Sequence, residues 1–144
     1  YPRHFKIRVD KGSLLFLCTG NSCRSQMAEG LANYLKLNKN FQIHSAGVEA
    51  HGLNTRAVEA MDEIGIDISH QQSTRVSNDE LLQYDLIITL CGDARDRCPI
   101  LSNKNNHIHW GLEDPAEARG SDEEIMNVYR KVRDKINENI DRLL

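Results

Sequence analysis

The sequence predicts a single α/β domain in which helices flank an open sheet of four strands. The run SLLFLC at residues 13–18 is short, continuous and apolar, and a glycine stands close to each of its ends. Such a run is typical of a parallel strand that is buried on both faces. Candidate strands also alternate with candidate helices, and the short connections between them favour right-handed crossovers. A chain of 144 residues, 40% of them hydrophobic, is long enough for one such core.

The first helix is expected to begin inside the loop after this strand, near Ser22 to Arg24. Apolar residues then recur at helical spacing, at Met27, Leu31, Tyr34 and Leu35. The segment FQIHSAG, residues 41–47, is the second strand candidate. A second helix should follow with Asn54 as its N-cap and Gly65 just beyond its end. Its apolar face is predicted to contain Val58, Met61 and Ile64.

The second half of the chain predicts two more strands and a long helix. The segment DLIITL, residues 85–90, reads as a buried strand, and HIHW, residues 107–110, as a weaker one. The last helix should start after Ser121, which forms a capping box with Glu124. Its apolar stripe is predicted at Ile125, Val128, Tyr129, Val132, Ile136 and Ile140. We expect residues 13–144 to form the domain and residues 1–12 to be an N-terminal extension or an expression remnant.

Charge and hydropathy exclude several classes of function. The chain has 18 basic and 21 acidic residues and a net charge of -3, which provides no basic surface for nucleic acid or an anionic membrane. No apolar run approaches the roughly 20 residues of a transmembrane helix, and the first residues lack the apolar block of a secretion signal. We therefore expect a cytoplasmic protein.

Four cysteines, at positions 18, 23, 91 and 98, are too few for a disulfide-stapled scaffold of this size. A reducing cytoplasm would keep them as thiols. Their spacings of five and seven residues do not match the usual motifs of a structural zinc site. His107 and His109 alternate on a probable strand, but no further ligands accompany them. We expect no metal and no cofactor.

The stretch CTGNSCRS, residues 18–25, connects the first strand to the first helix. In this setting successive backbone N–H groups turn toward one point above the helix N-terminus and bind oxyanions. The predicted oxyanion-binding loop comprises Thr19, Gly20, Asn21, Ser22, Cys23 and Arg24. Gly20 allows close approach of the backbone, and Asn21 either holds a left-handed conformation or ties the loop through its amide.

Cys18 is the candidate nucleophile of this loop. The helix dipole and Arg24 favour its thiolate form, and the Ser25 hydroxyl is in position to donate a hydrogen bond to the sulfur. The planar fork of Arg24 also holds two oxygens of a tetrahedral anion. Cys23 is interpreted as a bystander near the helix start. Open α/β sheets bind ligands beyond the carboxyl ends of their strands, so Cys91, which follows the third strand, is expected near Cys18.

Several segments together carry a resemblance to a known family. The segment CTGNSCRSQMAEG resembles the active-site loop of arsenate reductases with the low-molecular-weight tyrosine phosphatase fold. The segments SAGVEAHG, GIDIS, DLIITLCGDARDRCP and HWGLEDPA are similar to segments of the thioredoxin-coupled branch of that family, in the same order. The resemblance covers most of the chain. It implies a four-stranded parallel sheet flanked by helices, in agreement with the order of elements above.

The resemblance also implies a mechanism with three thiols. Cys18 attacks arsenate, Cys91 then attacks the Cys18 sulfur and arsenite leaves, and Cys98 attacks Cys91. Thioredoxin is the expected partner that reduces the final Cys91–Cys98 disulfide, and phosphate and sulfate are expected competitors of arsenate. If residues 91–98 are helical, the two thiols lie roughly 10 Å apart along the axis. A disulfide needs Cα atoms within about 7 Å, so this segment would have to unwind.

Two further assignments depend on the resemblance. Asp114, which precedes Pro115, corresponds to the general acid of the family, on a loop that the proline holds extended; the alternative interpretation is an ordinary turn aspartate. Some family members bind potassium at positions corresponding to Asn21, Glu29 and Ser45, with two later positions that are Gln72 and Thr74 here. Thr74 replaces a carboxylate, so we do not expect potassium, and we expect Glu29 to face solvent.

Two other functions remain open at this point. A low-molecular-weight phosphotyrosine phosphatase would need only Cys18, Arg24 and Asp114, and Cys91 and Cys98 would be dispensable. A redox sensor or oxyanion-binding module would form a disulfide without turning over a substrate. The segment DPAEARG, where phosphatases of the family carry an aromatic substrate-recognition surface, points away from tyrosine phosphate.

Overall fold

The computed structural model describes residues 12–35, 39, 41–91 and 106–143. Four strands form one sheet: β1 (Gly12–Cys18), β2 (Phe41–Gly47), β3 (Leu86–Thr89) and β4 (Asn106–His109). All are parallel, in the order β2-β1-β3-β4. The predicted open parallel sheet is therefore confirmed. Residues 1–11 lie outside the described part, so the predicted extension stays a prediction.

Within the described residues, four α-helices accompany the sheet. They are α1 (Arg24–Tyr34), α2 (Thr55–Asp62), the short α3 (Asn78–Leu81) and α4 (Asp122–Asp141). The caps predicted from sequence are present: Asn54 accepts hydrogen bonds from the N–H groups of Arg56 and Ala57, and Ser121 and Glu124 form a capping box. A single turn of 3-10 helix spans Pro115–Glu117. Among the described residues, no helix is both long and apolar enough to cross a membrane.

The sheet separates two hydrophobic cores. On one face, Leu14, Phe16 and Cys18 of β1 pack with α1, α2 and α4. On the other face, Leu15 and Leu17 pack with residues of the α3 region. Successive side chains of a strand point to opposite faces, and both faces of β1 are covered by a core. The sequence of β1 is therefore apolar along almost its whole length. The central strand thus brings Cys18 to the end of the larger core.

One detail of the sequence interpretation is wrong. Ile64 does not belong to the apolar face of the second helix: α2 ends at Asp62, and Ile64 is 40% exposed. Tyr34 ends α1, as its helical spacing indicated, but is 61% exposed, because the buried row of α1 follows the i+4 spacing of Met27 and Leu31. The helix α3 is an element for which the sequence makes no prediction, since its four residues contain no helical period.

Candidate active site

The loop after β1 is held in place by its carbonyl groups. The oxygens of Thr19, Gly20 and Ser22 accept hydrogen bonds from backbone N–H groups of the segment 49–54, at 2.9–3.1 Å. In a trans peptide the next N–H group points opposite to the carbonyl. The N–H groups of the residues that follow are thus turned away from this segment, an arrangement compatible with the predicted oxyanion cradle.

Glycine is required where β2 passes beneath this loop. A Cβ atom on Gly47 would lie 2.7 Å from the oxygen of Thr19 and 2.7 Å from the nitrogen of Asn21. The backbones of β2 and the loop therefore touch at a distance that no side chain permits. Asn21 itself has a φ of 48°, so it adopts the left-handed conformation that the sequence suggested.

The thiol of Cys18 lies at the end of a hydrogen-bond chain. Its Sγ is 2.9 Å from Oγ of Ser25, as expected from the sequence. The Nδ2 group of Asn21 donates to the same hydroxyl at 2.7 Å and to Oγ of Ser45 at 3.0 Å. Asn21 therefore does both things that were predicted for it, since its amide also ties the loop.

The chain continues to Glu29, whose carboxylate accepts a hydrogen bond from Ser45. Burial raises the pKa of the Glu29 carboxyl, and the hydrogen bond from Ser45 lowers it in part. The expectation that Glu29 faces solvent is wrong, because α1 turns this residue toward the end of β2.

Oxygens at the potassium positions already accept hydrogen bonds. The Oδ1 atom of Asn21 accepts from the N–H of Thr74 at 2.7 Å and from Nε2 of Gln26 at 3.2 Å. Nε2 of Gln26 also donates to the backbone oxygens of Asn21 and Gln72, both at 3.0 Å. These bonds compete with a hard cation for the same oxygens, whereas Glu29 keeps a carboxylate nearby, so the absence of potassium stays a prediction.

Arg24 is buried, with 2% of its surface exposed, at the first turn of α1. Its Nη1 donates to the backbone oxygens of Leu90 at 3.2 Å and Leu112 at 3.0 Å. Its Nη2 lies 3.7 Å from Oδ2 of Asp114. The guanidinium group therefore connects the end of β3 with the loop that carries Asp114.

Asp114 is a turn aspartate that also lies beside Arg24, and its role as general acid stays a prediction. Its backbone is extended, with φ -85° and ψ 109°, and its Oδ1 accepts from the N–H of Ala116 at 3.0 Å, as a turn aspartate would. Its other oxygen faces Arg24. The neighbouring Glu113 pairs with Lys131 of α4, 3.4 Å away. One carboxylate thus both shapes the turn and lines the site.

These groups enclose a cavity of about 270 Å³ above the loop. Cys18, Thr19, Gly20 and Arg24 lie on the loop side, and Asp114, Ala116 and Glu117 come from the 3-10 turn. Ser22, Cys23 and His51 complete the lining. The candidate nucleophile, the arginine and the candidate acid therefore share one pocket.

Cys23 is a second buried thiol of the loop. Burial raises the pKa of the Cys23 thiol from 9.0 to about 11, and hydrogen bonds with Ser22 and Tyr129 only partly oppose this effect. Cys23 therefore stays a thiol at neutral pH, and its role as a bystander stays a prediction.

Cys91 follows β3 and is 4% exposed. Leu90 packs in the core that contains Cys18, whereas the Thr89 side chain bonds to His107 and His109. Cys91 lies beyond the end of β3 at Thr89, so the alternation of the strand does not fix the direction of its side chain. Cys18 ends β1, and Cys91 follows the neighbouring strand β3 by two residues, but Cys91 does not line the cavity. Cys98 and the rest of the segment 92–105 lie outside the described residues.

His107 and His109 share one side of β4, as predicted, and both contact Oγ1 of Thr89, at 3.0 and 2.6 Å. Burial and the neighbouring His109 lower the pKa of His107. Within the described ranges, no group of three or more histidine, cysteine or acidic residues is arranged to hold a metal ion.

Sequence reasoning missed His51 and Glu49. Nε2 of His51 lies 2.6 Å from Oε1 of Glu49, and the imidazole ring rests against Gly20. The motif SAGVEAHG contains both residues, but only the hydrogen bonds between the loop and the segment 49–54 bring the histidine to the cavity.

This chain is similar to known proteins along nearly its whole length. The low molecular weight phosphotyrosine protein phosphatase family matches residues 13–144. The arsenate reductase of Bacillus subtilis strain 168 is 53% identical over 123 residues, covering 85% of this chain and 88% of that protein. A solved arsenate reductase in the phosphate binding state has a TM-score of 0.72 at 36% identity, over 92% of this chain and 95% of its own. A thioredoxin-dependent arsenate reductase of Corynebacterium glutamicum shares the fold, with a TM-score of 0.64 at 24% identity, over 95% of this chain and 64% of that one.

Proposed function

Because this chain belongs to the low molecular weight phosphotyrosine protein phosphatase family and is similar to its arsenate reductases over most of its length, we propose that it reduces arsenate to arsenite. Three thiols, of Cys18, Cys91 and Cys98, take part in turn. The observation that carries this proposal is the shared pocket of Cys18, Arg24 and Asp114. In this pocket the Cys18 sulfur is hydrogen-bonded to Ser25.

The first step binds the anion and forms a bond to arsenic. Backbone N–H groups of the loop and Arg24 hold the tetrahedral anion, and the Cys18 thiolate attacks arsenic. Asp114 protonates the hydroxide that leaves, which lowers the barrier to its departure. Phosphate and sulfate have the same shape and similar charge, so we expect them to compete for this pocket.

The second step transfers the electrons. The Cys91 thiolate attacks the Cys18 sulfur, the sulfur–arsenic bond breaks, and its electron pair leaves with arsenic as arsenite. Arsenic gains two electrons, and the two thiols become a Cys18–Cys91 disulfide. Phosphate cannot follow this course under the same conditions. Selectivity for arsenate therefore arises in the redox step and not in binding.

The third step restores Cys18. Cys98 attacks Cys91, which releases the Cys18 thiolate and leaves a Cys91–Cys98 disulfide for a dithiol protein of the thioredoxin class to reduce. The thioredoxin dependence of the Corynebacterium enzyme agrees with this partner. Because such recycling needs a reducing compartment, we place the reaction in the cytoplasm.

The test follows NADPH oxidation with thioredoxin, thioredoxin reductase and arsenate. Wild type should turn over, and Cys98→Ser should stop after one cycle with a Cys18–Cys91 disulfide that mass spectrometry detects. Steady hydrolysis of an aryl phosphate that Cys98→Ser leaves unchanged, without arsenate turnover, would favour the phosphatase. Disulfide formation with neither activity would favour the redox sensor.

A further inference from the structure

The wall of the anion pocket includes His51, a residue with no role in the thiol relay. His51 lines the cavity together with Cys18 and Arg24, on the Gly20 side of the loop. The backbone N–H of His51 donates to the oxygen of Gly20 at 2.9 Å. A Cβ atom on Gly20 would lie 2.3 Å from Nδ1 of the ring, so the imidazole fits only because residue 20 is glycine.

The carboxylate of Glu49 fixes the orientation of this ring. Its Oε1 lies 2.6 Å from Nε2, a distance typical of a short hydrogen bond between an imidazole N–H and a carboxylate. With Nε2 directed to Glu49, the other nitrogen, Nδ1, is the one that lies over the loop. A ring that carries protons on both nitrogens donates to Glu49 with one and has the other available for an oxyanion.

We propose that His51 is a further anion-recognition residue of this pocket, that its Nδ1–H donates to an oxygen of the bound tetrahedral oxyanion, and that Glu49 is its positioning residue. The proposal rests on the pocket described for the proposed reductase. It adds that anion binding takes up a proton on His51, because only the doubly protonated ring makes both hydrogen bonds.

Among the described residues, the charged and titratable groups around His51 belong to its own segment and to the lining of the cavity. Glu49 faces it from its own segment, and the others line the same cavity: Cys18, Cys23 and Arg24 from the loop and α1, and Asp114 and Glu117 from the 3-10 turn. Burial raises the pKa of Cys23 to about 11, so this thiol keeps its proton between pH 6 and pH 8. With Cys18 replaced by serine, the imidazole of His51 is the side-chain type in the described lining whose protonation commonly changes between about pH 5 and about pH 8.

Sulfate binding tests the proposal without any redox step. Sulfate remains a dianion between about pH 6 and about pH 8, so its own protonation does not contribute to the result. Titration calorimetry on Cys18→Ser protein should give an affinity that increases toward pH 6, by up to about tenfold per pH unit. Adding His51→Gln should remove this pH dependence and weaken sulfate binding at pH 6 by roughly tenfold. Glu49→Gln should also reduce the pH dependence and weaken sulfate binding at pH 6, but by less than His51→Gln.

Two further variants serve as controls for the effect of His51 on sulfate binding. His70→Gln, at an exposed site outside the cavity, should leave sulfate affinity unchanged. Gly20→Ala should weaken sulfate binding when His51 is present and less so with His51→Ala, because the added methyl meets the ring. Unchanged sulfate affinity and pH dependence in His51→Gln, with a wild-type thermal unfolding curve, would overturn the proposal. Loss of arsenate turnover would instead bear on the proposed reductase, since sulfate binding needs no thiol relay.

Discussion

The Sγ atom of Cys18 lies 2.9 Å from Oγ of Ser25, and Nδ2 of Asn21 donates to that same hydroxyl at 2.7 Å. Since an amide nitrogen only donates, the serine oxygen acts as acceptor toward Asn21 and keeps its own proton for the sulfur. The loop therefore orients a hydroxyl donor at the candidate nucleophile. A thiolate is stabilised by this donor more than a thiol is.

Ser25→Ala should make Cys18 less reactive. The lost hydrogen bond to a charged sulfur corresponds to about 1.5 kcal/mol, or roughly a tenfold slower alkylation of Cys18 by iodoacetamide at neutral pH. Peptide mass spectrometry would follow the modification at Cys18 alone. Ser69→Ala is the matched control, because Ser69 bonds to Asp67 at the surface. Equal alkylation rates in both variants would contradict the assigned role of Ser25.

Arg24→Lys should cost both stability and anion affinity. A lysine cannot reach Leu90, Leu112 and Asp114 together, so a buried carbonyl loses its donor, which costs about 2 kcal/mol in the free energy of unfolding. Sulfate affinity should decrease at least about tenfold, because the bidentate contact is lost. Urea denaturation and calorimetry measure the two effects.

Arg56→Lys provides the comparison for Arg24. Arg56 pairs with Asp122, whose side chain is 94% exposed, so this substitution should change neither quantity noticeably. If Arg24→Lys also left the free energy of unfolding and the sulfate affinity unchanged, the guanidinium group would not be the link between β3 and the loop that carries Asp114.

The pKa of about 11 at Cys23 predicts a loss of stability in alkali. Because the folded value is raised above the 9.0 of the unfolded chain, the contribution of Cys23 is complete below about pH 9 and is lost as pH rises through 11. The difference of about two pKa units corresponds to about 3 kcal/mol. Chemical denaturation from pH 8 to 11 should show a smaller decrease in Cys23→Ala than in wild type. Parallel curves would show that Cys23 ionises as easily in the fold as in the unfolded chain.

Glu29→Gln should stabilise the protein at pH 7. Burial raises the pKa of Glu29 in the fold, so the folded state favours its protonated form and its ionisation at neutral pH opposes folding. The gain in the denaturation midpoint should shrink as pH falls through this raised pKa, because wild-type Glu29 is then neutral too. Glu59→Gln, on the exposed side of α2, should show no such pH-dependent gain. A destabilised Glu29→Gln at pH 7 would mean that the ionised carboxylate is needed to hold Ser45.

The sequence determined the order and type of the main elements, because their signals are local. LLFLC, residues 14–18, is apolar at every position, since this part of β1 is buried on both faces. Asn54 and Ser121 are caps whose side chains accept hydrogen bonds from N–H groups only two or three residues away. The loop was equally readable. Cys18, Arg24 and Ser25 lie within one strand-loop-helix unit, so their relationship depends on the spacing of neighbours along the chain.

Only the tertiary structure decided which distant groups meet the loop and which do not. Cys91 follows β3 and is buried but does not line the cavity that holds Cys18, and no local pattern reports where the chain beyond a strand finally lies. Glu29 reads as a surface residue of α1 until β2 places Ser45 beside it. His51 reaches the cavity because backbone bonds join its segment to Gly20 across more than thirty residues of sequence. Contacts of this kind arise when separate elements pack, and their physical cause is therefore absent from any single stretch of the chain.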